Sequence, residues 1–138
     1  MKLISYNVNG IRSAISKGLL DWLYENQYDI VCLQEIKASA DQVNPLLFSE
    51  LGYEIYWCSA QKKGYSGVAV LSKRKPLNCT TGIGVPESDD EGRVIRLDFE
   101  DFSLLNVYVP SGTTGEIRQD FKMNWLAHFR NYVDLLVK

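Results

Sequence analysis

Two runs, Ile30-Val31-Cys32-Leu33 and Val68-Ala69-Val70-Leu71, are apolar at every position rather than at alternate ones. Successive side chains of a strand point to opposite faces, so a run without alternation belongs in a sheet covered on both sides. That requirement fixes the class as α/β, with a mixed sheet built around these two central strands. Further strands are predicted over residues 3–8, 53–58, 94–99 and 102–109, rich in β-branched and aromatic residues and bounded by Gly, Pro, Asp and Ser. The two central runs sit in predicted strands over 29–35 and 67–72. Asn9-Gly10 ends the first strand in a turn, and Glu100-Asp101 reads as a tight hairpin turn.

Helical signals lie between these strands. Leu19, Leu20, Trp22 and Leu23 form a one-sided apolar surface in a region that runs to about Asn26 and breaks near Gly18. Ser39 and Gln42 have capping-box spacing, and Asn44-Pro45 followed by LLFSEL and Gly52 reads as a short helix. From Glu116 onward, Phe121, Trp125, Phe129, Tyr132, Val133 and Leu136 recur every three or four residues, marking one face of a long closing helix. The first and last helical regions are expected to cover one face of the sheet. The other face is expected to lack a covering layer within this chain, leaving an apolar surface for a partner.

The chain of 138 residues, 46% hydrophobic, is large enough to bury a real core. No signal peptide or run of some eighteen apolar residues is present, which predicts no membrane association and a cytoplasmic home. Cys32, Cys58 and Cys79 are odd in number and form no CxxC pair, so they read as reduced structural thiols rather than a disulfide framework or zinc site. A formal net charge of −2 gives no basic footprint for nucleic acid, so any DNA contact must rest on local groups such as Lys62, Lys63, Lys73, Arg74 and Lys75. A solvated loop explains that cluster equally well.

Asn7 and Glu35 each close a predicted strand, and the carboxyl edge of an open α/β sheet is where ligands collect. A carboxylate and an amide oxygen suit a hard cation that keeps several waters. Turn formation by Asn7 and Asn9 and a solvated strand end at Glu35 remain the plain alternative. Gly64-Tyr65-Ser66-Gly67 before a buried strand would bring backbone amides and a phenol against a phosphate, or form a surface turn. Tyr108-Val109-Pro110-Ser111-Gly112 ends another strand with a phenol that is either functional or boundary packing. His128, the sole histidine, flanks the apolar face of the last helix and reads as structural; with it no Ser/His/Asp triad can be assembled.

Ser5-Tyr6-Asn7-Val8-Asn9-Gly10-Ile11-Arg12, Leu33-Gln34-Glu35-Ile36-Lys37, Gly64-Tyr65-Ser66-Gly67-Val68, Glu91-Gly92-Arg93 and Tyr108-Val109-Pro110 resemble, in order and spacing, successive motifs of the exonuclease III family of AP endonucleases. The resemblance runs from Met1 to about Tyr132. It implies that Glu35 is a metal ligand, that Asn7 helps hold metal and catalytic network, that Asn9 lies in the metal's outer shell and that Tyr108 is the active-site phenol. By the same resemblance Lys37 borders the metal site, and Lys62, Gly64, Tyr65 and Ser111 meet DNA. Arg93 supports the fold or the active-site wall. Ser111 stands where many relatives have Asn or Gln.

The resemblance implies one half of a four-layer α/β sandwich, residues 1–138 forming a single partial domain. The family's later Gly-Asp-x-Asn and Ser-Asp-His segments do not occur in the sequence. The implied function is Mg²⁺- or Mn²⁺-dependent hydrolysis of DNA phosphodiester bonds in double-stranded DNA with abasic sites, the isolated chain being expected inactive. Two other readings stay open at this point. One is a superfamily phosphatase, and the other a noncatalytic half that joins a copy of itself or the missing C-terminal half through the uncovered sheet face.

Overall fold

Alternating short apolar strands and Gly-broken helices give a computed structural model that describes residues 1–111 and 115–137. The elements are β1 (Leu3–Asn7), α1 (Ile11–Ser16), α2 (Leu19–Asn26), β2 (Ile30–Gln34), α3 (Leu46–Ser49), β3 (Glu54–Cys58), β4 (Val68–Ser72), β5 (Asn78–Thr81), α4 (Pro86–Asp89), β6 (Val94–Asp98), β7 (Ser103–Val107) and α5 (Glu116–Leu136). Gly18, at φ 106°, separates α1 from α2. The Ser39–Gln42 capping box forms around a single 3₁₀ turn, and the Asn44 side chain accepts from the Leu46 N–H at 3.0 Å. Phe99 N–H donates to Phe102 O across the tight turn joining β6 to β7.

The strands divide between two sheets. One has order β1-β2-β4-β3, with β1 parallel to β2 and the other pairs antiparallel; the second has order β5-β6-β7, all antiparallel. The unalternating runs at 30–33 and 68–71 occupy the two inner positions of the first sheet, and every residue of both runs is buried. Val31, Leu33, Ala69 and Leu71 face α1, α2 and α3, packing with Ile11, Leu23 and Phe48. Ile30, Cys32, Val68 and Val70 face Ile95, Leu97 and Phe99 of the second sheet.

That second layer corrects the expectation of an uncovered sheet face. The strands that supply it were legible as strands, but pairing is nonlocal, and nothing in residues 94–109 says that they form a sheet of their own. The cover is complete over the two central strands, whereas the outer strand β1 stays largely exposed, Leu3 and Tyr6 each at 45%. The α5 helix lies on the far side of the second sheet, where Arg96 donates to the Tyr132 hydroxyl and Trp125 is buried. Layers therefore run α, β, β, α within this chain.

Two short elements, β5 and α4, carry too few apolar residues to announce themselves and are additions to the sequence reading. Cys32 and Cys58 are buried free thiols whose burial pushes both up to about 11, while Cys79 is a free thiol on an exposed strand. Among the described residues no helix is long and apolar enough to cross a membrane.

Candidate active site

Strand direction gathers the site. Parallel β1 and β2 end at the same edge, with Asn7 in register with Gln34, and antiparallel β4 begins there, with Val68 opposite Gln34. Pairing continues past the strand ends, Gly10 N–H donating to Glu35 O at 2.7 Å and Ile11 N–H to Ile36 O at 2.9 Å. From the second sheet β7 delivers Tyr108 to this edge, and its hydroxyl donates to Glu35 Oε1 at 3.1 Å. Burial pushes the Tyr108 phenol up, and the hydrogen bond to Glu35 adds to it, so the phenol stays protonated and donating at neutral pH.

The backbone at this edge is strained. Asn9, Glu35, Lys37 and Ser66 all have φ between 46° and 56°, and only Gln27, closing α2, joins them among the described non-glycine residues. Side chains with a Cβ avoid this region, and such strain clusters where geometry serves a site. The strained segments hold one another: Lys37 N–H donates to Ser66 O and Ile36 N–H to Gly67 O. Lys37 Nζ reaches back to Asn9 Oδ1 at 2.7 Å, Asn9 N–H donates to Asn7 Oδ1 at 3.0 Å, and Arg12 donates to Lys37 O.

Two cavities open near this edge, and Glu35 lines one of them. A basin of about 310 Å³ is lined by Glu35, Lys37, Tyr65, Arg93, Tyr108, Ser111 and Arg118, among others. Asn7 and Asn9 open instead into a larger neighbouring cavity of about 600 Å³ beside Tyr6 and Trp22. The structure thus puts Glu35, Lys37, Gly64, Tyr65, Arg93, Tyr108 and Ser111 around one basin, and Asn7 and Asn9 across the β1 edge from it. Lys62 lies over the Tyr65 ring at 5.2 Å. Gly112 lies outside the described residues. His128 is exposed beside Phe121 and Trp125, away from this edge.

Three further residues at this edge were given no role from the sequence, although Glu91 stands in the quoted Glu91-Gly92-Arg93 motif. Asn106 is 2% exposed and bridges the sheets, donating to Leu33 O and Ala69 O while accepting from Gln34 Nε2 at 2.8 Å. A buried amide so fully satisfied fixes one sheet against the other. The other two are Glu91 and Arg118. Glu91 Oε1 accepts from Arg93 at 2.8 Å and from Arg118 at 3.1 Å, and both guanidinium groups donate to the Tyr65 hydroxyl. Burial pushes the Glu91 carboxyl up, but the hydrogen bonds from Arg118 and Arg93 outweigh it and hold the group below its ordinary value.

Arg93, 3% exposed, also donates to Tyr108 O at 3.1 Å and lies 5.0 Å from the Tyr108 ring centroid. Gly92 between them permits this arrangement, because a Cβ there would sit 2.6 Å from backbone atoms of Ser59 and Ala60. The Glu91-Gly92-Arg93 motif marked Glu91 in the sequence, but nothing local assigned it the two arginines as partners. No periodicity or motif pointed to Arg118, which reaches the site from the first turns of α5.

The donor set suits a hard cation. Among the described residues no three His, Cys, Asp or Glu side chains gather; the candidate donors are the Glu35 carboxylate in the basin and the Asn7 and Asn9 amide oxygens of the other cavity, oxygen groups of the kind that an ion retaining water takes.

The sequence profile of the Endonuclease/Exonuclease/phosphatase family matches residues 4–136. An exodeoxyribonuclease of Bacillus subtilis (strain 168) is 46% identical over 134 residues, covering 96% of this chain and 52% of that protein. The DNA repair nuclease APEX1 of Danio rerio is 43% identical over 135 residues, covering 96% and 44%. The solved structure of an AP endonuclease from Archaeoglobus fulgidus superposes with a TM-score of 0.84 at 31% identity, covering 94% of this chain and 50% of that one. The chain spans about half the length of these relatives.

Proposed function

The chain belongs to the endonuclease/exonuclease/phosphatase family, and from that premise we propose that it carries the Glu35 half of the active site of a DNA-repair phosphodiesterase that cuts beside abasic sites. The observation that carries this reading is the 3.1 Å hydrogen bond from Tyr108 to Glu35, which joins the two sheets at the edge where Asn9, Glu35, Lys37 and Ser66 all hold left-handed backbone. Its relatives supply the substrate class, since they are named as exodeoxyribonuclease, DNA repair nuclease and AP endonuclease.

In this reading Glu35 and Asn7 hold a Mg²⁺ or Mn²⁺ ion, with Asn9 outside them. Asn9 Oδ1 already accepts from the Lys37 ammonium, which favours the outer position. When bound, the cation supplies Lewis-acid stabilisation of charge on phosphate oxygens. The Tyr108 hydroxyl donates a hydrogen bond to Glu35 and so aims the carboxylate at the basin. Lys37 sets a fixed positive charge at the rim. Lys62, Gly64, Tyr65 and Ser111 face the DNA backbone, and Arg93 builds the wall behind Tyr108. Residues 1–138 form one part of a larger catalytic domain, and the general base and phosphate-facing histidine of the family come from outside this sequence.

The test is incision of a duplex with a single abasic site by the protein as its gene encodes it, with Mg²⁺, with Mn²⁺ and with chelator. Metal-dependent cutting at the abasic site supports the reading. Cleavage of a small phosphomonoester with no incision of the duplex would move the assignment to a phosphatase.

A further inference from the structure

Resting on that phosphodiesterase reading, we propose that Arg118 is a positioning residue that acts through Glu91 and Arg93 to fix the two tyrosine walls of the basin, rather than a contact for DNA. Its two guanidinium nitrogens form a fork on Glu91, Nη1 to Oε2 at 3.2 Å and Nη2 to Oε1 at 3.1 Å. A fork holds orientation as well as charge. The same Nη2 donates to Tyr65 OH at 3.3 Å, and the guanidinium lies 4.4 Å from the Phe121 ring centroid on its own helix. With one carboxylate, two nitrogens and an aromatic face engaged, this guanidinium is committed to the protein.

From Glu91 the chain of contacts runs inward without a gap. Glu91 is shared with Arg93, whose Nε and Nη2 both donate to Oε1, at 3.0 and 2.8 Å. Arg93 then holds the Tyr108 carbonyl and ring, and Tyr108 holds Glu35. Arg93 also donates to Tyr65 OH at 3.1 Å, so both phenols that line the basin answer to one pair of arginines. The α5 helix is thereby tied to Glu35 through four consecutive side-chain links. A misplacement of about 1 Å at a reacting group costs on the order of 10²-fold, so loosening the far end of this chain is expected to cost about tenfold.

Arg118→Ala and Arg118→Lys separate positioning from DNA contact. Lysine keeps the charge but cannot form the fork. Positioning predicts that both variants lose about tenfold in kcat on the abasic duplex, with KM within twofold and the salt dependence unchanged. The double variant Arg118→Ala/Glu91→Gln should then be no slower than Glu91→Gln alone. A raised KM, a salt slope reduced by about one and rescue by lysine would make Arg118 a phosphate contact instead and overturn the proposal.

A second readout needs no catalysis. In ¹⁵N spectra of the wild-type chain the Arg93 Nε–H should exchange slowly, and in Arg118→Ala it should exchange at least about tenfold faster while the ring signals of Tyr65 and Tyr108 shift. Unchanged exchange and unchanged tyrosine rings would overturn the clamp even if duplex incision succeeds. If incision fails in the wild-type protein but the exchange result holds, the clamp stands and the phosphodiesterase reading is what falls.

Discussion

Both ends of the four-stranded sheet carry basic side chains, and the two ends use them differently. At the far end, Lys73 donates to Gln27 and lies over the Tyr53 ring, while Arg74 pairs with Asp101 and stacks on Phe99 and Phe102. These charges are absorbed into local structure, where Gln27, closing α2, is the single non-glycine residue with left-handed backbone among the partners named. At the Glu35 end, Lys37 sits on left-handed backbone and points at Asn9, and Arg93 and Arg118 converge on one carboxylate beside a basin. Linear charge density does not distinguish the two ends. Backbone strain together with a gathering of side chains from different elements does.

The sharpest way to break this comparison is to substitute one charged residue at each end. Glu35→Gln should lower the rate of abasic-duplex incision by on the order of 10²–10³-fold, the loss typical of removing one group that orders charge in a site. A loss below about tenfold would remove Glu35 from the centre of the site and with it the contrast between the ends.

Backbone crowding gives the second test. In Gly92→Ala the new Cβ meets backbone rather than flexible side chains, at 2.6 Å, and φ at this position is 61°. Urea unfolding should report a loss of about 3 kcal/mol, from the left-handed penalty and the displaced 58–60 segment together. Gly64→Ala has nothing within 4 Å of its Cβ and should lose only about 1 kcal/mol from the same penalty. Equal losses would mean that the Gly92 contact is not the constraint.

Strain should also be removable where it is not balanced by contacts. Ser66 has φ 52°, is 2% exposed, and its Oγ has no hydrogen-bond partner among the described residues. Ser66→Gly relieves both the backbone and the buried hydroxyl, offset in part by the greater freedom of glycine in the unfolded chain, for a net gain of about 1 kcal/mol. A gain in stability accompanied by slower incision is the expected pattern for strain held at a working site.

How much of this was legible in the sequence follows from what is local. The central strands announced themselves because residues 30–33 and 68–71 have no polar position, and α5 because its apolar residues keep helical spacing. Glu35, Tyr65 and Tyr108 were legible because each ends or precedes a strand inside a motif. The split into two sheets was not, since β6 and β7 pair with each other by a local hairpin but pack on β2 and β4 only through tertiary contact. Asn106 is invisible for the same reason: in a strand it looks like an intrusion, and only its three partners on β2 and β4 explain it. Arg118 lies on a largely exposed first stretch of helix, where an arginine is unremarkable until Glu91 is placed against it.

Acid offers a gentler probe of the same cluster. Because the folded Glu91 value is depressed below the usual 4.5, its stabilising contribution is complete above about that pH and is lost as the pH falls through the folded value. Stability measured by urea across the acid range should therefore decline more steeply in the wild type than in Glu91→Gln. A parallel decline in both would mean that the two arginines do not hold the carboxylate.

The smallest effect belongs to the far end and completes the comparison. Arg74 and Asp101 are 2.9 Å apart, but their side chains are 39% and 64% exposed, so solvent screens the pair. Stacking on Phe99 and Phe102 adds a modest cation–π term at such an exposed site. Arg74→Ala should therefore lower stability by less than about 1 kcal/mol, with duplex incision and its salt dependence unchanged. If incision weakened and the salt slope fell, the far end would also touch DNA, and charge density rather than strained convergence would be the better guide to the interface.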